Sequence, residues 1–401
     1  MSKIIIVIPT YNRPNSLKRL LCSIAQAKYP HNTVIDLTIS CDYSGTNECI
    51  NIADEFNWTF GQKKIIKHTY KLGLHKHILF CGDFVEGYDG IIMLEDDLWV
   101  SPFFYNYVLQ ANSYYKDNSR IAQISLYSYQ YDDYSASRFI PIQDDFDNYF
   151  IQVPSSWGQF WTKEQWFKFR NQYNNGKLNI NATTLLPDQV IYRWPESSWK
   201  KYFYNYIIRN DLFVVYPRHS LSTNFGEPGT HYGSKVSHTQ SPIENHKKTY
   251  RFSCIAKAYS IYDYNFELHP LAIQKLLDNR CKTNDIEFDL NGTKSLNKIF
   301  AEHLVSSKTC KNPIFIFGAE LLPQELNIKH CIKGNFYSLG KTSDFVSDDV
   351  SEKIANRNIG YIPLTVRYKI ENKIKNKYEN STSFKIIKPI ISFFSFFKNK
   401  K

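Results

Sequence analysis

The sequence contains no Cys-x-x-Cys pair, although it has eight cysteines, and this absence argues against a zinc knuckle. Several of the cysteines lie in apolar stretches, which is typical of small buried thiols. The opening stretch MSKIIIVIPTYN is too short and too soon interrupted for a secretory leader, and no apolar run reaches the length of a membrane span. We therefore expect a cytoplasmic protein in a reducing compartment.

The first 365 residues have little net positive charge, although the whole chain carries a net charge of +11. Residues 366–401 contain ten Lys and Arg against two Glu, a net charge of +8, which leaves only +3 for the rest of the chain. A nearly balanced body argues against nucleic acid as a partner.

The basic tail at 366–401 also contains a strongly apolar stretch, FKIIKPIISFFSFF at 384–397. A basic amphipathic segment of this kind is typical of an interfacial membrane anchor. We predict peripheral binding to an anionic membrane surface on the inner face of the cell membrane. A disordered terminus is the alternative interpretation.

The first hundred residues alternate runs rich in Ile and Val with amphipathic stretches. This pattern predicts strands at 3–9, 34–41, 63–69 and 90–94, with helices that begin at Ser16, Asn47 and His75 and a further helix at Ser101–Pro102. The β-α-β-α order indicates an α/β fold, a mostly parallel sheet flanked by helices. Ligands in such folds bind beyond the carboxyl ends of the strands.

Three consecutive carboxylates, Glu95, Asp96 and Asp97, follow the predicted strand at 90–94. Like charges this close raise one another's pKa, and a divalent cation removes that cost. Mg²⁺ and Mn²⁺ bind through one or two carboxylates together with substrate phosphates. The cluster therefore favours a metal site that holds a diphosphate; the alternative is a solvated loop before the helix at Ser101–Pro102.

Two segments that contain these features, VIPTYNRPNSLKRLLCSI and IIMLEDDLWVSPFFYNYV, resemble the nucleotide-sugar-dependent glycosyltransferases of the GT-A fold. The resemblance is strongest to the N-acetylglucosaminyltransferase I type and its bacterial, family 2-like relatives. VPSSWGQFWTKEQW (153–166) and YPRHSLSTNFGEPGTHYG (216–233) resemble segments of the same relatives, so the match covers roughly 3–235.

The resemblance implies a GT-A (Rossmann-like) domain at 1–282, with a nucleotide-binding half at about 1–110 and an acceptor half at about 111–282. Residues 283–365, with a predicted strand at 312–320, form an accessory region to which we assign no role. The basic tail at 366–401 completes the chain.

The resemblance also assigns roles to individual residues. Asp97 would bind the metal, Glu95 and Asp96 would face the donor sugar and ribose, and His231 would reach the metal or the diphosphate. The residues expected to line the nucleotide and diphosphate are Pro9, Thr10, Asn12, Arg13, Asp42 and His75. Two alternatives stay open: Asp42 is either a uracil acceptor or a turn cap, and His77 competes with His75.

The general base expected of an inverting enzyme is missing from its place in the family pattern. In WPESSWKKYF (194–203), Lys200 and Lys201 stand where the family has an acid, and a protonated lysine is no base. Glu196, one helical turn earlier, and Asp188 are the candidates that remain, unless the longer segment at 167–193 shifts the register.

The sequence therefore predicts a metal-dependent transferase that uses Mn²⁺ or Mg²⁺ and a nucleotide-sugar donor, which we expect to be UDP-linked. The expected product is a longer glycan in bacterial surface polysaccharide or lipooligosaccharide synthesis, and the expected acceptor is an oligosaccharide or a lipid-linked glycan. The rival interpretation is a non-catalytic protein that binds glycans or sugar nucleotides through a degenerate GT-A site.

Overall fold

A computed structural model of the protein describes residues 2–227, 237–277 and 285–358. Residues up to Asp349 form one compact unit, and the residues from Val350 onward form a second. His231 and the basic tail lie outside the described residues, so the predictions made for them have no structural counterpart. Within the described ranges, no helix is both long enough and apolar enough to cross a bilayer.

The first unit is built on a nine-stranded sheet. Strands and helices are numbered along the chain, and in spatial order the strands of this sheet are β11 (Ile261–Tyr262), β7 (Asn148–Ile151), β9 (Phe213–Pro217), β6 (Ile121–Ser125), β8 (Gln159–Thr162), β4 (Gly90–Met93), β1 (Ile4–Thr10), β2 (Leu37–Cys41) and β3 (Lys63–Lys67). Five of its eight pairings are parallel and three are antiparallel. The predicted α/β class with a mostly parallel sheet is therefore confirmed.

Helices connect and flank these strands. In the first unit they are α1 (Pro14–Ala25), α2 (Glu48–Glu55), α3 (Leu74–Asp83), α4 (Phe104–Tyr115), α5 (Lys163–Asn174), α6 (Asp188–Arg193), α7 (Trp199–Arg209), α8 (Pro270–Leu276) and α9 (Glu325–Lys329). The described part of the second unit is α10 (Ser351–Asn358).

The central strand β1 positions the candidate site. All seven of its residues are buried, because it pairs in parallel with β2 on one side and β4 on the other. A strand buried on both faces reads as a continuous apolar run, and this explains the sequence IIIVIPT. Pro14, at the first position of α1, has no N–H to leave unsatisfied, so the chain turns directly from the strand into a helix.

The predicted elements match the observed ones to within a few residues. The second strand begins at Leu37 rather than 34, because 34–36 have no regular secondary structure, and the third ends at Lys67. The helix predicted from Ser101 begins at Phe104 instead, because Leu98–Val100 form β5, which pairs with β10 (Ser222–Asn224). The carboxylates thus lie in a turn between two strands rather than before a helix.

A second sheet of four strands lies within residues 286–341. Its strands, in spatial order, are β12 (Ile286–Asp289), β13 (His303–Ser306), β15 (Tyr337–Lys341) and β14 (Phe315–Phe317). Phe288 and Tyr337 from this sheet join the same hydrophobic core as the large sheet. The strand predicted at 312–320 is confirmed in its central three residues; the boundary at 282/283 stays a prediction.

Candidate active site

The acidic turn Glu95–Asp97 meets the carboxyl end of β1. Leu94 donates its N–H to the Val7 carbonyl at 3.0 Å, so the chain leaves β4 directly beside Thr10. The two parallel strands therefore bring the acids and the Thr10–Arg13 segment to one edge, as the sequence predicts.

Asp96 joins the two strand ends. Its Oδ2 accepts a hydrogen bond from the Thr10 hydroxyl at 2.7 Å and another from the Tyr11 N–H at 3.3 Å, and Arg13 donates to Oδ1 at 3.3 Å. Burial, followed by repulsion from Asp97, raises the pKa of Asp96 to about 7 in spite of these donors. Both oxygens are thus engaged in holding the site together.

Asp97 is the acid with a carboxylate oxygen to spare. Its Oδ2 accepts a hydrogen bond from Arg13 Nη1 at 2.7 Å, while its Oδ1 is buried without a hydrogen-bond partner. Arg13 Nη2 is likewise buried and unpartnered. Buried polar atoms normally have hydrogen-bond partners. The unpartnered Asp97 oxygen and the unpartnered Arg13 nitrogen therefore indicate that a further polar group binds here.

A divalent cation fits this donor set only as part of a shared site. Among the residues that the structure describes, no group of three or more His, Cys, Asp and Glu side chains is arranged to hold a metal. One free carboxylate oxygen is, however, what Mg²⁺ or Mn²⁺ uses when substrate phosphates complete its shell.

Glu95 is the third acid, and it is half-buried. Burial, followed by Asp97 and Asp96, raises its pKa to about 8, and Lys200 and Arg13 act against that rise. Lys200, in the first turn of α7, therefore interacts electrostatically with the strand tip.

Asp42, at the end of β2, is largely committed to the backbone. It accepts hydrogen bonds from the N–H groups of Tyr43, Leu72 and Gly73 at 2.7–2.9 Å. This arrangement is the turn-cap alternative that the sequence left open. Carboxylate oxygens have further acceptor capacity, so a contact with a uracil N–H stays a prediction.

The structure separates the two histidines. His77 is 3% exposed, and its Nε2 lies 2.8 Å from the Ser40 hydroxyl. His75 stacks on Tyr202 with ring centroids 5.3 Å apart, and its Nε2 is buried without a partner. Burial lowers the pKa of both, so both are neutral at pH 7. Of the two, His75 has the nitrogen left for a ligand.

Glu196 is exposed and holds the connection between α6 and α7. Lys201 donates to its Oε1 at 2.7 Å, and the Tyr202 hydroxyl donates to its Oε2 at 2.9 Å. Lys201 is itself buried and also donates to the Ile191 and Trp194 carbonyls. These bonds lower the pKa of Glu196, which weakens it as a proton acceptor. The catalytic role of Glu196 stays a prediction. Because both of its carboxylate oxygens accept hydrogen bonds, its geometry suits a structural role better.

Asp188, at the start of α6, faces the accessory sheet. Lys298 donates to its Oδ1 at 2.6 Å, and the Ser295 hydroxyl donates to its Oδ2. Burial favours a higher pKa for Asp188, but these donors outweigh it and lower the value. Its role as a base also stays a prediction.

Trp157 and Trp194 are partly exposed beside Lys200, whereas Trp161, Trp166 and Trp199 are core residues. The Lys200 ammonium lies 5.6 Å from the Trp157 ring centroid and 5.5 Å from that of Trp194. Both of these rings are only partly buried.

Asp133 faces the same lysine, and sequence reasoning missed it. It is exposed, and it interacts electrostatically with Lys200. No motif surrounds Asp133 in the sequence; its signal is a turn-forming pair, Asp132–Asp133, after a buried strand.

Comparison with known proteins supports the fold. Residues 5–194, just under half of the chain, match the model of the family described as "Glycosyl transferase family 2". This range contains β1, the acidic turn and Asp133. No curated protein matches the chain. The match agrees with the predicted GT-A fold, while the narrower resemblance to the N-acetylglucosaminyltransferase I type has no support beyond the sequence.

Several solved structures are similar over part of their length. A mannosyltransferase from Pyrobaculum calidifontis, in complex with GDP-mannose and Mn²⁺, is 10% identical with a TM-score of 0.31, over 41% of this chain and 45% of that one. S. aureus TarS 1–349 with UDP-GlcNAc is 13% identical with a TM-score of 0.37, over 59% and 62%. GalNAc-T7 with UDP, GalNAc and Mn²⁺ is 13% identical with a TM-score of 0.38, over 54% and 43%. The chain spans less than two thirds of each.

Proposed function

We propose that this protein is a glycosyltransferase that moves a sugar from a nucleotide donor to a glycan acceptor. One observation carries the proposal: within the range that matches family 2, the acidic turn and Thr10–Arg13 meet at the carboxyl edge of the sheet. That edge is where α/β folds bind nucleotides.

The donor is a UDP-linked hexose or N-acetylhexosamine, and Mn²⁺ or Mg²⁺ binds with it. Asp97, whose Oδ1 has no hydrogen-bond partner, would hold the metal together with His231, and the metal would supply positive charge where the diphosphate leaves. Pro9, Thr10 and Asn12 line the nucleotide.

The residues of the chain itself orient the donor. Arg13 places a guanidinium beside Asp97, with Nη2 free to bind a phosphate oxygen. Glu95 faces the donor sugar, and Asp96 fixes the two strand ends against each other. Transfer inverts the anomeric carbon, because the acceptor oxygen attacks opposite the diphosphate.

Thermal unfolding and transfer assays on the purified protein test this proposal. UDP-sugars with Mn²⁺ should raise the melting temperature, because a ligand that binds only the folded state stabilises it. Asp97→Asn should lose most of that shift and most of the transfer to an oligosaccharide acceptor. Asp117→Asn, an exposed change on the loop after α4, is the matched control.

The outcomes also separate the rival function. The lysines at 200 and 201 favour a glycan-binding or sugar-nucleotide-binding protein without catalysis. A donor-dependent shift with neither transfer nor donor hydrolysis would support that rival. An Asp97→Asn protein that binds and transfers like the parent would contradict both the metal and the site.

We propose further that the acceptor is a growing bacterial surface glycan and that the basic tail at 366–401 brings the enzyme to an anionic membrane. The support is the composition of the tail, ten basic residues with a Phe- and Ile-rich stretch.

A further inference from the structure

Charged and aromatic side chains converge around Lys200. Its ammonium interacts electrostatically with Asp133, on the turn at 132–135, and with Glu95, at the acidic strand tip. Trp157 and Trp194 flank it at 5.6 and 5.5 Å from their ring centroids. Partly exposed indole rings next to a donor site are suited to contact the apolar face of a sugar.

Asp133 is the second carboxylate, besides Glu95, that interacts electrostatically with Lys200. Its side chain is exposed, whereas the neighbouring Asp132 is 2% exposed. The charged and titratable groups that face Asp133 are Lys200, His238, Asp132 and the phenols of Tyr127, Tyr129, Tyr134, Tyr204 and Tyr216. Unlike Glu196 and Asp188, Asp133 forms no ion pair within 4 Å among the described residues.

The turn that carries Asp133 is fixed in place. Asp132 accepts a hydrogen bond from the Tyr134 N–H at 2.7 Å and from Asn291 Nδ2 at 3.3 Å, the latter from the accessory region. The Tyr134 and Tyr204 hydroxyls lie 2.9 Å apart, which ties the turn to α7. A carboxylate on a rigid turn keeps its position relative to Lys200 and the strand tip, as a catalytic group requires.

We propose that Asp133 is the general base, the residue that takes the proton from the attacking acceptor hydroxyl, and that Lys200 is its positioning residue. This inference rests on the proposed function. It assigns the role to a residue other than Glu196 and Asp188, both of which hold ion pairs.

The acceptor oxygen forms a bond to the anomeric carbon while the bond from that carbon to the phosphate oxygen breaks, and the diphosphate leaves with the electron pair. The acceptor proton passes to the Asp133 carboxylate and from there to solvent. Lys200, which interacts electrostatically with both Asp133 and Glu95, offsets the negative charge of the two carboxylates during the transfer.

Kinetics of four variants test the assignment: Asp133→Asn, Glu196→Gln, Asp188→Asn and the control Asp145→Asn, whose side chain is 82% exposed. We expect Asp133→Asn to lower kcat about 10²–10⁴-fold, the usual contribution of a positioned base. The KM for the donor and the donor-induced melting shift should stay at parental values. The acid limb of the parental pH profile should disappear, which a structural role would not cause.

Each outcome decides between supporting and overturning the inference. Transfer by Asp133→Asn within threefold of the parent would overturn it, and so would a loss confined to Glu196→Gln or Asp188→Asn. If Asp133→Asn no longer binds donor, Asp133→Glu decides: a rate at least tenfold above that of the Asn variant supports the role, and equal rates refute it. A parent that transfers nothing would overturn the proposed function as well, which is a distinguishable result.

Discussion

Lys308 is a buried lysine whose removal should destabilise the whole first unit. Its ammonium donates to Asp289 Oδ2 at 2.5 Å and to the Gly292 and Lys294 carbonyls at 2.7 and 2.8 Å. The Lys308 side chain is 4% exposed and that of Asp289 is 0% exposed. Lys308→Met keeps most of the volume but leaves a buried carboxylate without its counter-ion.

The size of the effect follows from what Asp289 does when it loses that counter-ion. An uncompensated buried charge costs about 3–5 kcal/mol. Protonation limits the cost, because holding a carboxyl of unfolded pKa near 3.9 neutral requires about 1.4 kcal/mol per pH unit above that value. This ceiling is about 4 kcal/mol at pH 7 and about 1.5 kcal/mol at pH 5.

The sign of the pH dependence is fixed by the same reasoning. Burial already raises the pKa of Asp289, and Lys308 opposes that rise. Without Lys308 the folded-state pKa moves further above the unfolded value. The destabilisation therefore appears above the unfolded pKa and grows as the pH increases.

Urea unfolding followed by tryptophan fluorescence measures this difference at pH 5 and pH 7. Lys311→Met, at an exposed position on the same connection, is the control and should change the free energy of unfolding by less than about 0.5 kcal/mol. Adding Asp289→Asn to Lys308→Met should recover part of the loss at pH 7. A Lys308→Met penalty below about 1 kcal/mol at pH 7, or one of equal size at both pH values, would refute the reasoning.

Two further predictions concern packing and membrane binding. Gly82→Ala should cost at least about 1–3 kcal/mol in the free energy of unfolding, because its Cβ would lie 1.9 Å from Trp166 Cζ2 in the core. Gly87→Ala, whose Cβ meets nothing within 4 Å, is the urea-melt control, and equal costs would contradict the prediction. Replacing Lys398, Lys400 and Lys401 by Ala should weaken binding to phosphatidylglycerol vesicles about 100-fold in a sedimentation assay, since each lysine contributes about 1 kcal/mol. Unchanged binding, or equal binding of the parent to phosphatidylcholine vesicles, would exclude the proposed anchor.

The fold of the first hundred residues was predictable because its signals are local. β1 is a run of seven buried residues, and α1 begins at a proline. A continuous apolar run and a proline at a helix start are both recognisable in the sequence. The β5 strand was not predictable in this way. Its three residues are a strand only because β10, more than a hundred residues later, pairs with them. Pairing over that distance leaves no pattern in a short apolar run.

The same distinction between local and long-range signals applies to the candidate site. Three adjacent acids after an apolar strand are visible in the sequence, and they do lie at the sheet edge beside Thr10 and Arg13. The pairing of Glu196 with Lys201 was not foreseen, because i,i+5 contacts across a helix start depend on how the preceding loop enters the helix. Asp133 could not be identified from the sequence, because Lys200, with which it interacts, is 67 residues away. Their interaction depends on the long-range packing of α7.

The charge balance at the strand tip revises one step of the sequence reasoning. There, the repulsion among three acids called for a divalent cation. In the folded chain Arg13 faces Asp96 and Asp97, and Lys200 faces Glu95, so two cations of the chain oppose three carboxylates. The acids therefore need no metal in order to fold. A diphosphate, by contrast, would meet Arg13 and Lys200, which already face carboxylates. We therefore expect further positive charge to arrive with it, unless Arg13 leaves Asp97. This is the physical reason to add Mn²⁺ with each nucleotide sugar in the thermal assay: the demand for a cation comes from the donor more than from the three acids.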